Sequence, residues 1–339
     1  MNDQTIRVGL VGYGLAGSAF HAPLIRACER MEVATILTSR DVPNRVGSLD
    51  ELIDSSDLVV IASPNTTHFA ITKQVLDAGR HAVVDKPFAV TVAEADELIG
   101  LARERDRVLT IFHNRRWDSD FLTVRKILPQ LGEVFLFEAS WDRFRPQIKP
   151  GWREEPGPGT GLFSDLGPHL IDQALQLFGM PEAVEADIVA QRPGALADDY
   201  FDVTLHYGAQ RVCLRSSTLV AAPRPRFAIH GTGGSFLKHG LDPQEAQLKA
   251  GADPREAAFG VDATDGLLVA ADGRSEHVKS MRGNYLAFYQ AVAAAILDGA
   301  PVPISAEEAR DGLALIDLAR RGSARGQRLS VPAANLTGG

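Results

Sequence analysis

The sequence predicts an α/β chain of two domains: first a doubly wound parallel sheet, then an α/β domain built on a large, mostly antiparallel open sheet. Three observations predict it. Through the first third of the chain, short apolar runs alternate with amphipathic runs of helical length, and strands joined in that way need right-handed crossovers and pair in parallel. After about residue 120 the grammar changes to longer strands of alternating polar and apolar residues, divided by Gly, Pro and Asp turns. With 339 residues the chain is also too long for one ordinary core. The expected domains are residues 1–120 and 121–335.

The elements of the first domain follow in order. Ile6 to Val11 is nearly all apolar, as a strand buried on both faces must be, and a helix begins just after Gly14. Strands follow at Val33 to Leu37, Leu58 to Ala62, Ala82 to Asp85 and Arg107 to Phe112. Thr66 to Ala78 reads as a helix closed by Gly79, and Val92 to Arg105 carries apolar residues at helical spacing. Pro23 cannot continue the first helix without losing a backbone bond, so a break is expected near Phe20, turning His21 toward the ligand edge, with a kinked helix and an exposed His21 as the alternative.

In the second domain the alternating strands are Glu133 to Arg143, Glu182 to Gln191, Tyr200 to Tyr207, Arg211 to Leu219 and Arg226 to His230. One helix, Phe163 to Phe178, interrupts them. Tyr285 to Asp298 and Ala306 to Arg320 read as helices that pack back on the first domain, and the tail after Val331 is expected to fray.

Composition excludes several function classes. A net charge of −8 disfavours nucleic acid or an anionic membrane as a partner. No run of 18 apolar residues exists and the N-terminus has no basic segment leading into an apolar one, so neither a membrane span nor a secretory signal is expected and a cytoplasmic location is. The two cysteines, Cys28 and Cys213, have no metal-ligand spacing, and no metal is expected.

Gly12-Tyr13-Gly14-Leu15-Ala16-Gly17 is a GxGxxG loop between the first strand and the first helix. Its first glycine permits the tight turn, its second lets the backbone approach a pyrophosphate, and its third allows close helix–strand packing. NAD-binding versions carry an acid after the second strand, whereas here Thr38, Ser39 and Arg40 stand there. No carboxylate repels a 2′-phosphate, and Arg40 with the hydroxyls can hold one, so NADP is favoured and NAD is the alternative.

Two further groups carry chemistry. Asp85-Lys86-Pro87 ends the fourth strand at the edge where open α/β sheets bind ligands, and the lysine there can donate to a substrate hydroxyl or act as a base. Its Lys86–Pro87 bond is a candidate for the cis isomer. Asp165 and His169, four apart at the start of a helix, share one face, and a carboxylate beside an imidazole suits a general acid/base. Each group alone has a plain structural reading, a surface lysine in one case and an ordinary helix start with a core histidine in the other.

Taken in order, the glycine loop, Ser63-Pro64-Asn65-x-x-His68, Asp85-Lys86-Pro87 and Asp165-x-x-x-His169 resemble the Gfo/Idh/MocA oxidoreductase family, over residues 5 to 320. GYGLAGSAFHAPLI, HNRRWDSDFLTVRK and SDLGPHLIDQALQLFGMP are especially similar to its NADP-linked scyllo-inositol dehydrogenase branch. The resemblance implies a Rossmann domain and a second domain whose open sheet makes homodimers or homotetramers. It implies Lys86, Asp165 and His169 as catalytic groups, with either His169 or Lys86 taking the proton. Ser63, Pro64, Asn65 and His68, with Asp85, match the loops about the nicotinamide and its ribose.

A polyol or sugar ring wants hydrogen-bonding side chains and an aromatic face, so Asn114, Arg115, Trp117, Arg143, Trp152 and Tyr285 are the expected substrate contacts. The family's other sugar dehydrogenases, a carbonyl reductase, and a non-catalytic NADP-binding regulator stand as alternatives.

Overall fold

The computed structural model describes residues 4–148, 151, 154–157 and 159–332. Backbone contacts divide the chain into two units. The first holds residues 1–118, 243–261 and 282–310, and the second holds 119–242, 262–281 and 311–339. The first unit thus takes in two later segments, 243–261 and 282–310, besides the residues before 119.

Along the chain run β1 (Ile6–Val11), a π-helical turn (Ala16–His21), α1 (Ala22–Ala27), β2 (Met31–Leu37), β3 (Arg45–Val46), α2 (Leu49–Asp54), β4 (Leu58–Ile61), α3 (His68–Asp77), β5 (His81–Val84), α4 (Val92–Glu104) and β6 (Leu109–Ile111). The six strands form one parallel sheet in the order β3-β2-β1-β4-β5-β6, the Rossmann order. The order reverses between β1 and β4, so the loops that leave those two strands flank the switch point. β4 is buried at all four positions, as its unbroken apolar run requires. Thr91 starts α4 with a capping box: its side chain accepts from Glu94 N–H while the Glu94 carboxylate accepts from Thr91 N–H. Such a cap is worth about 1 kcal/mol.

The chain continues with α5 (Ser119–Ile127), β7 (Val134–Ser140), α6 (Gly161–Phe178), β8 (Ala183–Val189), β9 (Tyr200–Tyr207), β10 (Gln210–Ser217), β11 (Phe227–Gly231), β12 (Gly234–Lys238), α7 (Gln244–Lys249), β13 (Gly266–Ala270), β14 (Ser275–Val278), α8 (Leu286–Asp298), α9 (Ala306–Arg325) and β15 (Leu329–Ser330). Nine of these strands make the second sheet, ordered β14-β13-β12-β11-β7-β10-β9-β8-β15. Its pairs are antiparallel except β7 with β10. α6 covers β9 and β10, and Phe163, Leu166 and Leu170 on it meet Phe137, Val203 and Leu214 from the sheet.

Pro23 does not break the first helix. It has no N–H to give, and the turn ahead of it widens, so that Ala22 N–H reaches the Gly17 carbonyl, five residues back. The wider turn buries His21 completely. α8 packs on α1 within the first unit, as expected of a returning helix, and Tyr285, Phe288, Tyr289 and Val292 join Leu10, Leu24 and Ile25 in its core. No helix among the described residues is long and apolar enough to cross a membrane. Within the tail after Val331, residues 333–339 lie outside the described residues.

Candidate active site

In the first unit, the glycine loop leaves β1 at the switch point. A side chain at Gly12 would stand 2.5 Å from the Ala62 carbonyl at the end of β4, and one at Gly17 would stand 2.1 Å from the Gly12 carbonyl. Both positions are closed to any larger residue. Gly14 is different: a Cβ there would meet nothing within 4 Å, and the backbone lies exposed. That is the surface a pyrophosphate needs, a bare backbone at the opening of a helical turn. Tyr13 is half-buried against the core, and Leu15 is exposed. The residues therefore fit a dinucleotide.

After β2, Thr38 Oγ1 accepts from the Arg40 N–H at 3.2 Å and shapes the loop, leaving the Ser39 and Arg40 side chains exposed. Arg45 on β3 donates through Nε to the Thr38 carbonyl at 3.0 Å. It puts a second guanidinium at this loop. Sequence reasoning missed Arg45, because a two-residue strand carries no periodicity to find.

The loop after β4 is held internally. Ser63 Oγ and Thr67 Oγ1 lie 2.7 Å apart, and Thr67 Oγ1 donates to the Pro64 carbonyl at 2.7 Å. Asn65 opens a short 3-10 turn leading into α3. His68 is fully buried, with Nδ1 2.8 Å from the Pro87 carbonyl and Nε2 3.0 Å from the Ser63 carbonyl. Both ring nitrogens of His68, an expected cofactor contact, are directed at the protein's own backbone. His68 ties the Ser63 loop to the Lys86 loop.

Lys86 follows β5 and is half-buried, and the Lys86–Pro87 peptide is cis. Asp85 Oδ1 accepts from the Lys86 N–H at 2.8 Å. Its other oxygen, Oδ2, lies 3.8 Å from Nε2 of His21, whose Nδ1 is 2.6 Å from the Tyr289 hydroxyl. Burial pushes the Asp85 carboxyl up, but its neighbour His21 and the charges of Lys86 and His68 outweigh that and hold it below the ordinary carboxylate value.

Beyond β6, Asn114 to Trp117 form a 3-10 turn. Asn114 is half-buried, and the Trp117 ring packs edge-on against Phe288 with centroids 5.7 Å apart. Arg115 and Tyr285, expected at the substrate, bond to groups of the same unit. Tyr285 is fully buried and donates to Asp118 Oδ1 at 2.6 Å, while Arg115 donates to Glu245 Oε2 at 2.5 Å and to the Tyr285 oxygen at 3.3 Å. The Tyr285 hydroxyl and both terminal nitrogens of Arg115 are engaged inside the unit, which speaks against their expected role as substrate contacts.

In the second unit, Asp165 and His169 stand one turn apart on α6, His169 buried and Asp165 half-buried. Arg143, expected at the substrate, has Nη1 3.5 Å from Asp165 Oδ2. Gly161 starts α6 against Asp198: a side chain there would stand 2.3 Å from its carboxylate, so this glycine makes room for Asp198 rather than for a ligand. Trp141 is core, with the Arg226 guanidinium 5.1 Å from its ring. Trp152 lies outside the described residues. Among the described residues, no three His, Cys, Asp or Glu are grouped to hold a metal ion.

A parallel sheet of Rossmann order, a bare-backbone glycine loop at its switch point and a lysine on the same edge define a dinucleotide-binding oxidoreductase. The comparisons with known proteins agree. Residues 6–113 match the oxidoreductase family's NAD-binding Rossmann fold, and residues 126–331 match its C-terminal alpha/beta domain. The oxidoreductase YdgJ of Escherichia coli (strain K12), itself uncharacterised, is 44% identical over 94% of this chain and 96% of its own. The scyllo-inositol 2-dehydrogenase (NADP(+)) IolW of Bacillus subtilis (strain 168) is 39% identical over 94% of both chains. The YvaA structure from Bacillus subtilis matches with a TM-score of 0.95 at 37% identity, covering 98% of this chain and 100% of that one. The chain belongs to the Gfo/Idh/MocA oxidoreductase family.

Proposed function

We propose that this protein is an NADP-dependent dehydrogenase acting on a secondary alcohol of a cyclitol or sugar, with scyllo-inositol, oxidised at carbon 2, as the first candidate. The observation that carries the reading is Lys86 at the carboxyl end of β5, on the same sheet edge as the open backbone of Gly14. The 39% identity to an NADP-linked scyllo-inositol dehydrogenase supports the substrate. Arg40 and Arg45 at the loop after β2, where NAD binders carry an acid, support the cofactor.

When bound, the nicotinamide accepts hydride from the alcohol carbon or returns it. The chain's own groups do the rest. Gly12 to Gly17 present backbone N–H groups to the pyrophosphate, and Arg40 with Ser39 holds the 2′-phosphate. Either His169, with Asp165 steadying the imidazolium that results, or Lys86 is the group proposed to take the hydroxyl proton, and Lys86 Nζ is the proposed donor to the developing carbonyl in the first case. Asn114, Trp117, Arg143 and Trp152 are proposed substrate contacts. The open face of the second sheet, which carries Glu138, Asp202 and Arg215, is the proposed surface for a homodimer or homotetramer.

The test is absorbance at the reduced-nicotinamide band, with NADP or NAD supplied in turn against scyllo-inositol, myo-inositol and a panel of aldoses. Growth with scyllo-inositol and NADP, and little with NAD, is the expected result. Growth with an aldose alone moves the substrate and keeps the mechanism. A strong preference for NAD overturns the reading of Ser39 and Arg40.

A further inference from the structure

We infer that His21, fixed by Tyr289, is a positioning residue for the Asp85–Lys86 turn. The three side chains lie in series. His21 and Tyr289 are both fully buried in the core of the first unit. The Tyr289 oxygen is 2.6 Å from His21 Nδ1, and the opposite ring nitrogen, Nε2, makes no hydrogen bond and faces Asp85 Oδ2 at 3.8 Å. The Phe112 ring packs on the imidazole with centroids 4.4 Å apart, which leaves the ring no room to turn away.

Hydrogen-bond chemistry selects one neutral form of the ring. With Tyr289 donating to Nδ1, the ring proton sits on Nε2 and points at the carboxylate, an attractive arrangement. With the proton on Nδ1, a lone pair on Nε2 would face the carboxylate instead, and the two would repel. The Asp85 carboxylate thus selects the tautomer, Tyr289 completes it by donating to Nδ1, and the ring aims a donor at Asp85. Asp85 in turn holds the Lys86 N–H through its other oxygen at 2.8 Å. The gap of 3.8 Å is the kind that shortens when a reacting complex forms. The widened turn ahead of Pro23 brings His21 into this position, so an otherwise odd feature of the first helix has a purpose at the site.

The inference rests on the proposal that Lys86 is catalytic, and its test separates the two. Nitrogen NMR of the wild-type protein, with the His21 signals assigned by their loss in His21→Gln, is expected to show the Nε2–H form; the Nδ1–H form would overturn the relay whatever Lys86 does. Hydrogen exchange of the peptide spanning residues 84–90 is expected to quicken about tenfold in His21→Ala and to recover in His21→Gln, whose amide can place a donor near the same point. With NADP and scyllo-inositol, His21→Ala should lose roughly 10- to 100-fold in kcat with KM for both changed less than threefold, and His21→Gln should regain most of it. Wild-type exchange and turnover in His21→Ala, or a glutamine variant no better than alanine, would overturn the inference. Normal turnover in Lys86→Ala, measured alongside, would instead sink the functional reading and leave the tautomer result standing.

Discussion

Arg143 and Asp165 form an ion pair across 3.5 Å, and each side chain is about three-quarters buried, with 26% and 25% exposure. The carboxylate proposed to steady His169 therefore has a cationic neighbour that limits its orientation. Losing Arg143 should weaken the transition state more than the ground state. Arg143→Ala is expected to lower kcat about tenfold with KM for the alcohol little changed, since 1.4 kcal/mol is tenfold. Arg143→Lys should recover only part, lacking the planar fork. Steady-state kinetics with NADP and scyllo-inositol decides it, and a change confined to KM would make Arg143 a substrate contact without the positioning role.

The loop after β2 makes the cofactor testable without touching the chemistry. Arg40 is exposed and its backbone is anchored by Thr38, so a side-chain change there should leave the fold intact. Arg40→Ala is expected to raise KM for NADP roughly 10- to 100-fold, the loss of a charge-assisted bond of about 1.5–3 kcal/mol, and to leave KM for NAD alone. Ser39→Asp adds the repelling carboxylate and should reverse the preference. Equal effects on both dinucleotides would count against a 2′-phosphate site.

Much of this arrangement was legible in the sequence, and the parts that were not share a cause. β1, β2, β4, β5, β6 and the glycine loop are written in consecutive residues, so periodicity and spacing reveal them, whereas the grouping of Lys86 with Asp165 and His169 is read from the resemblance. β3, β12, β13 and β14 are short, and pairing rather than propensity makes them strands. Arg115 and Tyr285 are 170 residues apart, and only the fold shows that they bond each other. The same holds for His21 and Tyr289, separated by 268 positions: the sequence points to a disturbed helix at Pro23 but not to the tyrosine it serves.

Acid should weaken the first unit through His81. Burial, and then the charge of Arg107, lower its imidazole to about 4. The neutral ring accepts from the Val108 N–H through Nδ1 at 2.9 Å, a bond that a proton on Nδ1 abolishes. An unfolded histidine takes its proton near pH 6.5, so below that value the unfolded chain binds more protons and stability falls with pH. The contribution is complete above pH 6.5 and is lost as pH drops toward 4, by about 1–2 kcal/mol after discounting for partial exposure. Urea midpoints at pH 7.5 and pH 5 measure it. His81→Asn keeps an acceptor for Val108 without the titration, and should show a smaller drop between the two.

Arg115 offers a choice between two roles, and stability separates them. The guanidinium is 8% exposed and lies among Asp118, Glu245 and the Tyr285 hydroxyl. Burial alone would push the Glu245 carboxyl up, but Arg115 and Lys249 draw it down to about 2, so the acid is ionised because they are there. Arg115→Met leaves two carboxylates facing an apolar chain, and removing one partner of a buried pair costs about 3–5 kcal/mol. The melting midpoint should fall by roughly 5–10 °C. Adding Glu245→Gln to that variant should restore part of the loss, because the second change removes the charge that the first one stranded. A substrate-binding arginine behaves in the opposite way: its loss raises KM and spares the melting midpoint, and Glu245→Gln rescues nothing. Near-complete burial and the 2.5 Å bond to Glu245 support the first pattern for Arg115.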